Sequence, residues 1–420
     1  CKLLKGVEKM KKVIVFLITI LFALSSVFVG IGCKQETSEE VTEEVTEEVT
    51  EEVTEEVTTS VEEVTEAEGE ITFWTWMICD ETIKLFEERY PKIKVNVVYH
   101  QPWDMHDKML ISLATGVGAP DVMQVVLMRL DMFAGPNLED LSDIINEDDF
   151  PSSAIAMNTF DGRLVGAPMG FAPMVIFYRR DLFEQYGIDA PIETWDEFIE
   201  IGKEFTGPDQ YMMPMYSPGG QWGAWYFEAF LQSRGGSIFD ENRKVIKNNE
   251  LAADTLEFYT SLQTTLKIAA PEQFWTPSIY AQMARDRYLT LPISVGAIRD
   301  LKSSLIDQKG KWSVMPWPKW GEDAEDRTGL WGDSSFIIPV QAENKEAAKV
   351  FTKFITSTND GARAFFQEVG DMPHLISVRQ ESAWLDYEDP YLVGPNLAQV
   401  VEGQFIPPFF IKREPLTNTI

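Results

Sequence analysis

Beyond residue 70, strand-like and helix-like segments alternate along the chain, and this predicts an α/β fold on a parallel or mixed sheet. Two further observations support it. Hydrophobic residues make up 45% and charged residues 25% of the 420 positions, enough to bury a large core. Pro91, Gly116 and Gly118 also punctuate the segments, as chain breakers between elements do. Taken in order, Glu70 to Trp76 reads as a β-rich strand, and Glu81 to Tyr90 as a helix stopped by Pro91. Ile93 to Val98 alternates as a strand does. Asp107 to Thr115 reads as a helix ended by Gly116 and Gly118, and Asp121 to Val126 as a buried strand. Thr194-Trp-Asp-Glu197 is a capping box opening a helix to about Phe205, and Asn344 caps a helix through Phe354.

The first seventy residues differ in kind. Met10-Lys11-Lys12 followed by the uncharged run Val13 to Gly32 has the basic and apolar regions of an export signal, with translation starting at Met10. Twenty apolar residues could also serve as an uncleaved membrane anchor. From Glu39 to Thr58 the tetrad Glu-Glu-Val-Thr repeats. A four-residue period stacks Glu on Glu at i and i+4, which disfavours a helix, and the segment reads as a disordered, charged tether over residues 34–70. Net charge is +4 over residues 1–33 and −15 over residues 34–70, which leaves −20 of the total −31 for residues 71–420. Such acidity argues against nucleic acid as a partner. The three cysteines, Cys1, Cys33 and Cys79, lie in three different regions and make no disulfide framework.

Several stretches together carry a family resemblance. They are Phe86-Glu-Glu-Arg-Tyr-Pro-Lys-Ile-Lys-Val95, Gly118-Ala-Pro-Asp-Val122, Asp161-Gly-Arg-Leu-Val-Gly-Ala-Pro168 and Phe177-Tyr-Arg-Arg-Asp-Leu-Phe183. Thr194 to Phe198, Gly235 to Phe239, Trp331 to Pro339 and Asn344 to Ala348 follow in order. The body resembles the family 1 extracellular solute-binding proteins, sugar-binding subunits of ATP-binding-cassette (ABC) importers related to maltose-binding protein. The resemblance implies two α/β lobes joined by a hinge, with ligand in the cleft between them. The first lobe would hold residues 71–171 and 292–354, and the second 172–291 and 355–420. Val29-Gly-Ile-Gly-Cys33 resembles a lipobox with Gly30 where Leu is usual, which implies residues 1–33 as a signal peptide, lipidation at Cys33 and tethering outside the cytoplasm. Relatives continue past Ile406-Pro-Pro-Phe-Phe410, so the ending at Ile420 reads as a truncation.

Twelve Trp suit a carbohydrate ligand, because a sugar's C–H face stacks on an aromatic ring while its hydroxyls need donors and acceptors. Ser217-Pro-Gly-Gly-Gln-Trp-Gly-Ala-Trp225 is the richest cluster, with Trp222 and Trp225 three residues apart at a helix start. Trp331 would be a platform and Asp333 a hydroxyl acceptor in a small-residue loop before a strand. Trp76 closes the first strand, and Trp103 sits in a polar loop at the rim. Gln124 and Arg129 are polar candidates, and Met169 and Phe171 fall at the family's first crossing. Asp121 is expected to fix the loop after Pro120, and Cys79 to be passive. Trp74, Trp195, Trp312, Trp317 and Trp384 read as packing. Relatives carry a stacking Trp near Ile293-Ser-Val295 and this chain has none, so maltose specificity does not simply transfer.

No catalytic motif stands out. His100 and His106 lack helical metal-pair spacing, and there is no nucleophile elbow, phosphate loop or paired-Cys site, so no enzyme activity, metal or cofactor is expected. The expected function is capture of a sugar or oligosaccharide by a monomer that delivers it to the importer's transmembrane subunits. A non-sugar solute on the same fold (a polyamine, peptide or glycerol phosphate) stays open. So do a surface glycosidase, which needs only two suitably spaced carboxylates, and a non-transport scaffold without a closing cleft.

Overall fold

The computed structural model describes residues 66–217, 220–239, 244–246 and 249–404. The export signal, Cys33, the tether up to residue 65 and the ending after residue 404 lie outside the described residues.

Twelve strands are described: β1 Gly69–Thr75, β2 Ile93–Tyr99, β3 Val122–Val126, β4 Thr159–Phe160, β5 Arg163–Leu164, β6 Ala167–Arg179, β7 Met213–Met215, β8 Ala269–Pro271, β9 Thr290–Ser294, β10 Trp312–Met315, β11 Leu330–Ile337 and β12 Met372–Pro373. The main sheet runs β10-β6-β11-β3-β1-β2, with β9 and β12 also paired to β6. It is mixed, as expected: β1 is parallel to β2 and β3, and β11 is antiparallel to β3 and β6. The strand β6 organises it. Its thirteen residues are all buried, and its run of Met, Val, Ile, Phe and Tyr suits a strand covered on both faces. Its first half pairs with β11 and β12 and its second half with β9 and β10, so the crossing expected at 171/172 falls inside one continuous strand.

Helices pack on this frame where their apolar faces dictate. Helix Asp80–Arg89 buries Thr82, Ile83 and Phe86, and the Phe86 ring meets Phe351 at 5.0 Å and Phe354 at 5.3 Å between centroids. Its N-terminus is capped from afar. The Glu368 carboxylate accepts from the Glu81 and Thr82 amides at 3.1 and 3.0 Å and from the Thr82 hydroxyl at 2.7 Å, where a helix end favours negative charge. Glu368 lies on helix Asn359–Val369, so residues expected in the second lobe pack on a helix expected in the first. Local caps fall where the sequence places them: Thr194 accepts from the Glu197 amide at 3.2 Å and Asn344 from the Ala347 amide at 3.4 Å. Asp121 does fix its loop, accepting from the Thr72 amide at 2.8 Å and the Asn344 amide at 2.9 Å. Trp195, Trp312, Trp317 and Trp384 are buried, and Trp74 is half-buried with its ring edge against His100. Burial pushes the Cys79 thiol well up, helped by Glu368 and Asp80, so it stays protonated.

Two local expectations are corrected. The helix expected from Asp107 spans Pro102–Thr115, because Pro at the first helical position has no orphan N–H to satisfy and its φ is already helical. Trp103 therefore stands in a helical first turn and not in a loop. Residues 330–333 belong to β11 and are not a loop before it. Its register against β6 slips between Leu330 and Gly332, which leaves Trp331 as the extra residue of a bulge. Among the described residues no helix is long and apolar enough to cross a membrane.

Candidate ligand-binding cleft

Helix Gly220–Ser233 and strand β11 meet at an unusually close approach. A Cβ on Gly329 would lie 2.0 Å from the Ala229 carbonyl oxygen, so only glycine lets β11 start against this helix. The Gln232 side chain then accepts from the Leu330 amide at 2.9 Å and ties the two elements together. On the helix, Trp222 and Trp225 project from one face, with ring centroids 5.4 Å apart at 78°. The bulge at Trp331 turns its indole toward them, 5.9 Å from Trp222 at 8° and 6.4 Å from Trp225 at 86°. Tyr216 completes a set of nearly parallel rings, 6.1 Å from Trp222 and 5.7 Å from Trp331.

From the other side comes helix Pro102–Thr115. Trp103 lies 5.8 Å from Trp222 and 5.5 Å from Trp225, with the Arg129 guanidinium 4.2 Å from its ring centre. Below it, His106 stacks on Phe133 and touches Trp103 and Trp76. The His106 Nε2 accepts from the Val126 amide at 3.3 Å, and burial, with Arg129 nearby, pushes its pKa down to about 3. This imidazole is neutral at physiological pH. A cleft of about 300 Å³, open solvent included, runs beside the rings and is lined by Val126, Met128, Trp225, Glu228, Leu330, Trp331, Gly332 and Asp333.

The structure thus brings Trp103, Trp222, Trp225, Trp331 and Asp333 together, with Arg129 on Trp103 and Trp76 one layer further along through His106. It does not expose three other candidates. Gln124 is fully buried; its Oε1 accepts from the Thr75 hydroxyl at 2.6 Å, and its Nε2 lies 3.3 and 3.4 Å from the Met77 and Met169 sulfurs. A buried amide needs its partners within the core, and Gln124 finds them on the residues that flank Trp76 and on Met169. Met169 is buried within β6. Phe171 is buried between the His374 ring at 5.1 Å and the Arg379 guanidinium at 5.2 Å. Three residues that the sequence did not single out join them here: Tyr216, which directly precedes the Trp cluster, Glu228, one helical turn beyond Trp225, and His374, whose Nε2 stands 2.9 Å from Asp333. Tyr216 and Glu228 could have been found from their spacing to Trp222 and Trp225. For His374 the sequence carried no signal.

Aromatic faces beside carboxylates can hold a ligand with apolar ring faces and hydrogen-bond donors at its edges. Among the described residues no group of three or more His, Cys, Asp or Glu could hold a metal ion.

Known proteins share this sequence and this fold. The Arabinooligosaccharide-binding protein of Bacillus subtilis (strain 168) is 28% identical over 324 residues, covering 73% of each chain. The Lactose-binding protein of Rhizobium radiobacter is 26% identical over 341 residues, covering 76% of this chain and 78% of its own. Among solved structures, the ABC transporter associated binding protein from B. animalis subsp. lactis Bl-04 in complex with beta-1,6-galactobiose superposes with a TM-score of 0.69. It is 21% identical and covers 80% of this chain and 85% of its own. The fold is therefore the two-lobed α/β binding-protein fold expected from the sequence. The family model described as Bacterial extracellular solute-binding protein matches residues 73–362. With its fold and most of its length accounted for in this way, the chain belongs to the bacterial extracellular solute-binding protein family.

Proposed function

We propose that the protein captures a neutral sugar or oligosaccharide in the Trp103–Trp222–Trp225–Trp331 cleft and delivers it to an ABC importer. One observation carries the reading: four indoles from three separate elements converge beside the carboxylates of Asp333 and Glu228. Indole faces match the C–H faces of pyranose or furanose rings, and carboxylates accept from their hydroxyls. The relatives named for arabinooligosaccharides and lactose support a ligand of more than one sugar unit.

In this reading Trp225 and Trp331, whose planes stand at 86°, contact adjoining faces of the ligand. Ligand would stabilise the arrangement in which Trp103 meets the other rings, and only to the extent that it binds that arrangement more tightly. The protein is a monomeric binder and not a catalyst, and the bound sugar leaves unchanged. Lipidation at Cys33 would hold it at the outer face of the cell membrane, with residues 34–70 as tether and the importer's transmembrane subunits as partner. The lobes would move about β6 and β11, with helix Asn359–Val369 travelling with the lobe of residues 71–171 and 292–354, on which it packs.

Isothermal titration of the purified chain with arabino-, galacto- and gluco-oligosaccharides, a polyamine, a dipeptide and glycerol phosphate tests the ligand class. Saturable binding of one neutral sugar series, with the sugar recovered intact, is the expected result. Binding of a charged solute alone would overturn the sugar reading, and hydrolysed sugar would overturn the non-catalytic one.

A further inference from the structure

The aromatic platform leaves one feature of the cleft unexplained. Asp333 in β11 stands opposite Phe171 in β6, and Met372 in β12 stands opposite the same Phe171 from the other side. Two residues past Met372, His374 returns over the Phe171 ring at 5.1 Å, and its Nε2 reaches 3.0 and 2.9 Å from the two Asp333 oxygens. The backbone is set for this contact. The His374 amide donates to the Met169 carbonyl at 3.2 Å, and a Cβ on Gly170 would lie 2.5 Å from the Met372 carbonyl, so glycine lets β12 press against β6.

Both partners are deeply buried, Asp333 at 6% and His374 at 7% exposure, so this is no surface ion pair. Burying a carboxylate is costly unless it is paired and hydrogen-bonded. Asp333 nevertheless lines the cleft beside Trp225 and Trp331. The imidazole stands against both carboxylate oxygens, and each oxygen keeps a further lone pair that can accept from a donor in the cleft. The other imidazole nitrogen, Nδ1, is buried without a hydrogen-bond partner, so the ring makes one polar side-chain contact, and that contact is with Asp333.

We propose that His374 is a positioning residue for ligand recognition, holding the Asp333 carboxylate so that it accepts from two neighbouring hydroxyls of a sugar ring stacked on Trp331 or Trp225. The inference rests on the sugar-binding reading above and adds the group that sets which hydroxyls are read. A carboxylate free to rotate would accept from many hydroxyl arrangements; one pinned by His374 favours donors that match its fixed plane.

The test pairs protein variants with ligand variants. His374→Phe keeps the ring against Phe171 and removes the N–H; His374→Gln restores a donor near the same place. For the sugar that binds the wild type, affinity is measured for the parent and each monodeoxy analogue. His374→Phe is expected to weaken the parent about ten- to hundredfold, the range of a hydrogen bond to a charged group. His374→Gln should recover most of the loss. The one or two analogues that lose most with the wild type should lose less than about threefold further in His374→Phe, because both changes remove the same contact. Unchanged parent affinity in His374→Phe would overturn the proposal alone, as would penalties that multiply for every analogue. A wild type that binds no sugar would overturn the sugar reading and the proposal with it.

Discussion

Asp371 and His106 are buried titratable side chains whose effects on stability oppose each other. Burial pushes Asp371 up to about 7, with Asp333 and Asp300 adding and Arg299 opposing. Between about pH 4 and 7 the folded chain keeps a proton there that the unfolded chain has released, so this group's contribution falls as pH rises through that window. His106 is pushed down to about 3, so between about pH 6.5 and 3 the unfolded chain takes up a proton that the folded one refuses. Its contribution falls as pH falls. Asp371→Asn should therefore raise the melting temperature clearly at pH 8 and little at pH 5, each unit of pKa shift being worth about 1.4 kcal/mol. Equal changes at both pH values, read by thermal unfolding, would contradict this. His106→Phe, which leaves the Val126 amide without its acceptor, should cost stability at pH 7 but flatten the acid limb of the same curve between about pH 6 and 4. At this scale the sequence was partly legible. Trp222, Trp225 and Trp331 announce themselves by density and spacing. Gln124 looks like any polar residue near a strand end until Thr75 and Met169 close on it. The link between Asp333 and His374 spans 41 residues and exists only once β11 and β12 flank β6.

Among elements, the junction of helix Gly220–Ser233 with β11 decides whether the rings meet. Gly329→Ala places a methyl against the Ala229 carbonyl and should cost about 1–3 kcal/mol, as forced overpacking does. The shift it forces should also weaken sugar binding; calorimetry on a variant still folded at 25 °C would show both. A weakened fold with undiminished affinity would mean that the junction does not position the rings. Thr194→Ala, at a residue that does not line the cleft, should cost about 1 kcal/mol in denaturant unfolding through loss of its cap and leave affinity unchanged. Element type and order were largely readable, because caps, prolines and alternation are local signals. What escaped was the extra turn that Pro102 adds in front of Asp107 and the bulge at Trp331. A proline before a polar stretch reads equally as a turn, and a bulge is defined by the partner strand.

For the whole molecule, the α/β order came from local patterning, whereas the two-lobed arrangement came through resemblance to a family, since no local signal says where a chain crosses a hinge. The strand β6 shows why: it is one uninterrupted apolar run, yet it serves β11 and β12 with one half and β9 and β10 with the other. If the converging indoles form the sugar site, their own emission must report ligand. Intrinsic Trp fluorescence of the purified chain, titrated with a panel of neutral mono- and oligosaccharides, tests it most directly, with Trp225→Ala as control. The expected result is a saturable change with one sugar series and at least a tenfold loss of affinity in Trp225→Ala, its fold intact by circular dichroism. A folded wild type silent to every sugar, or a Trp225→Ala variant that binds as tightly as the wild type, would contradict it.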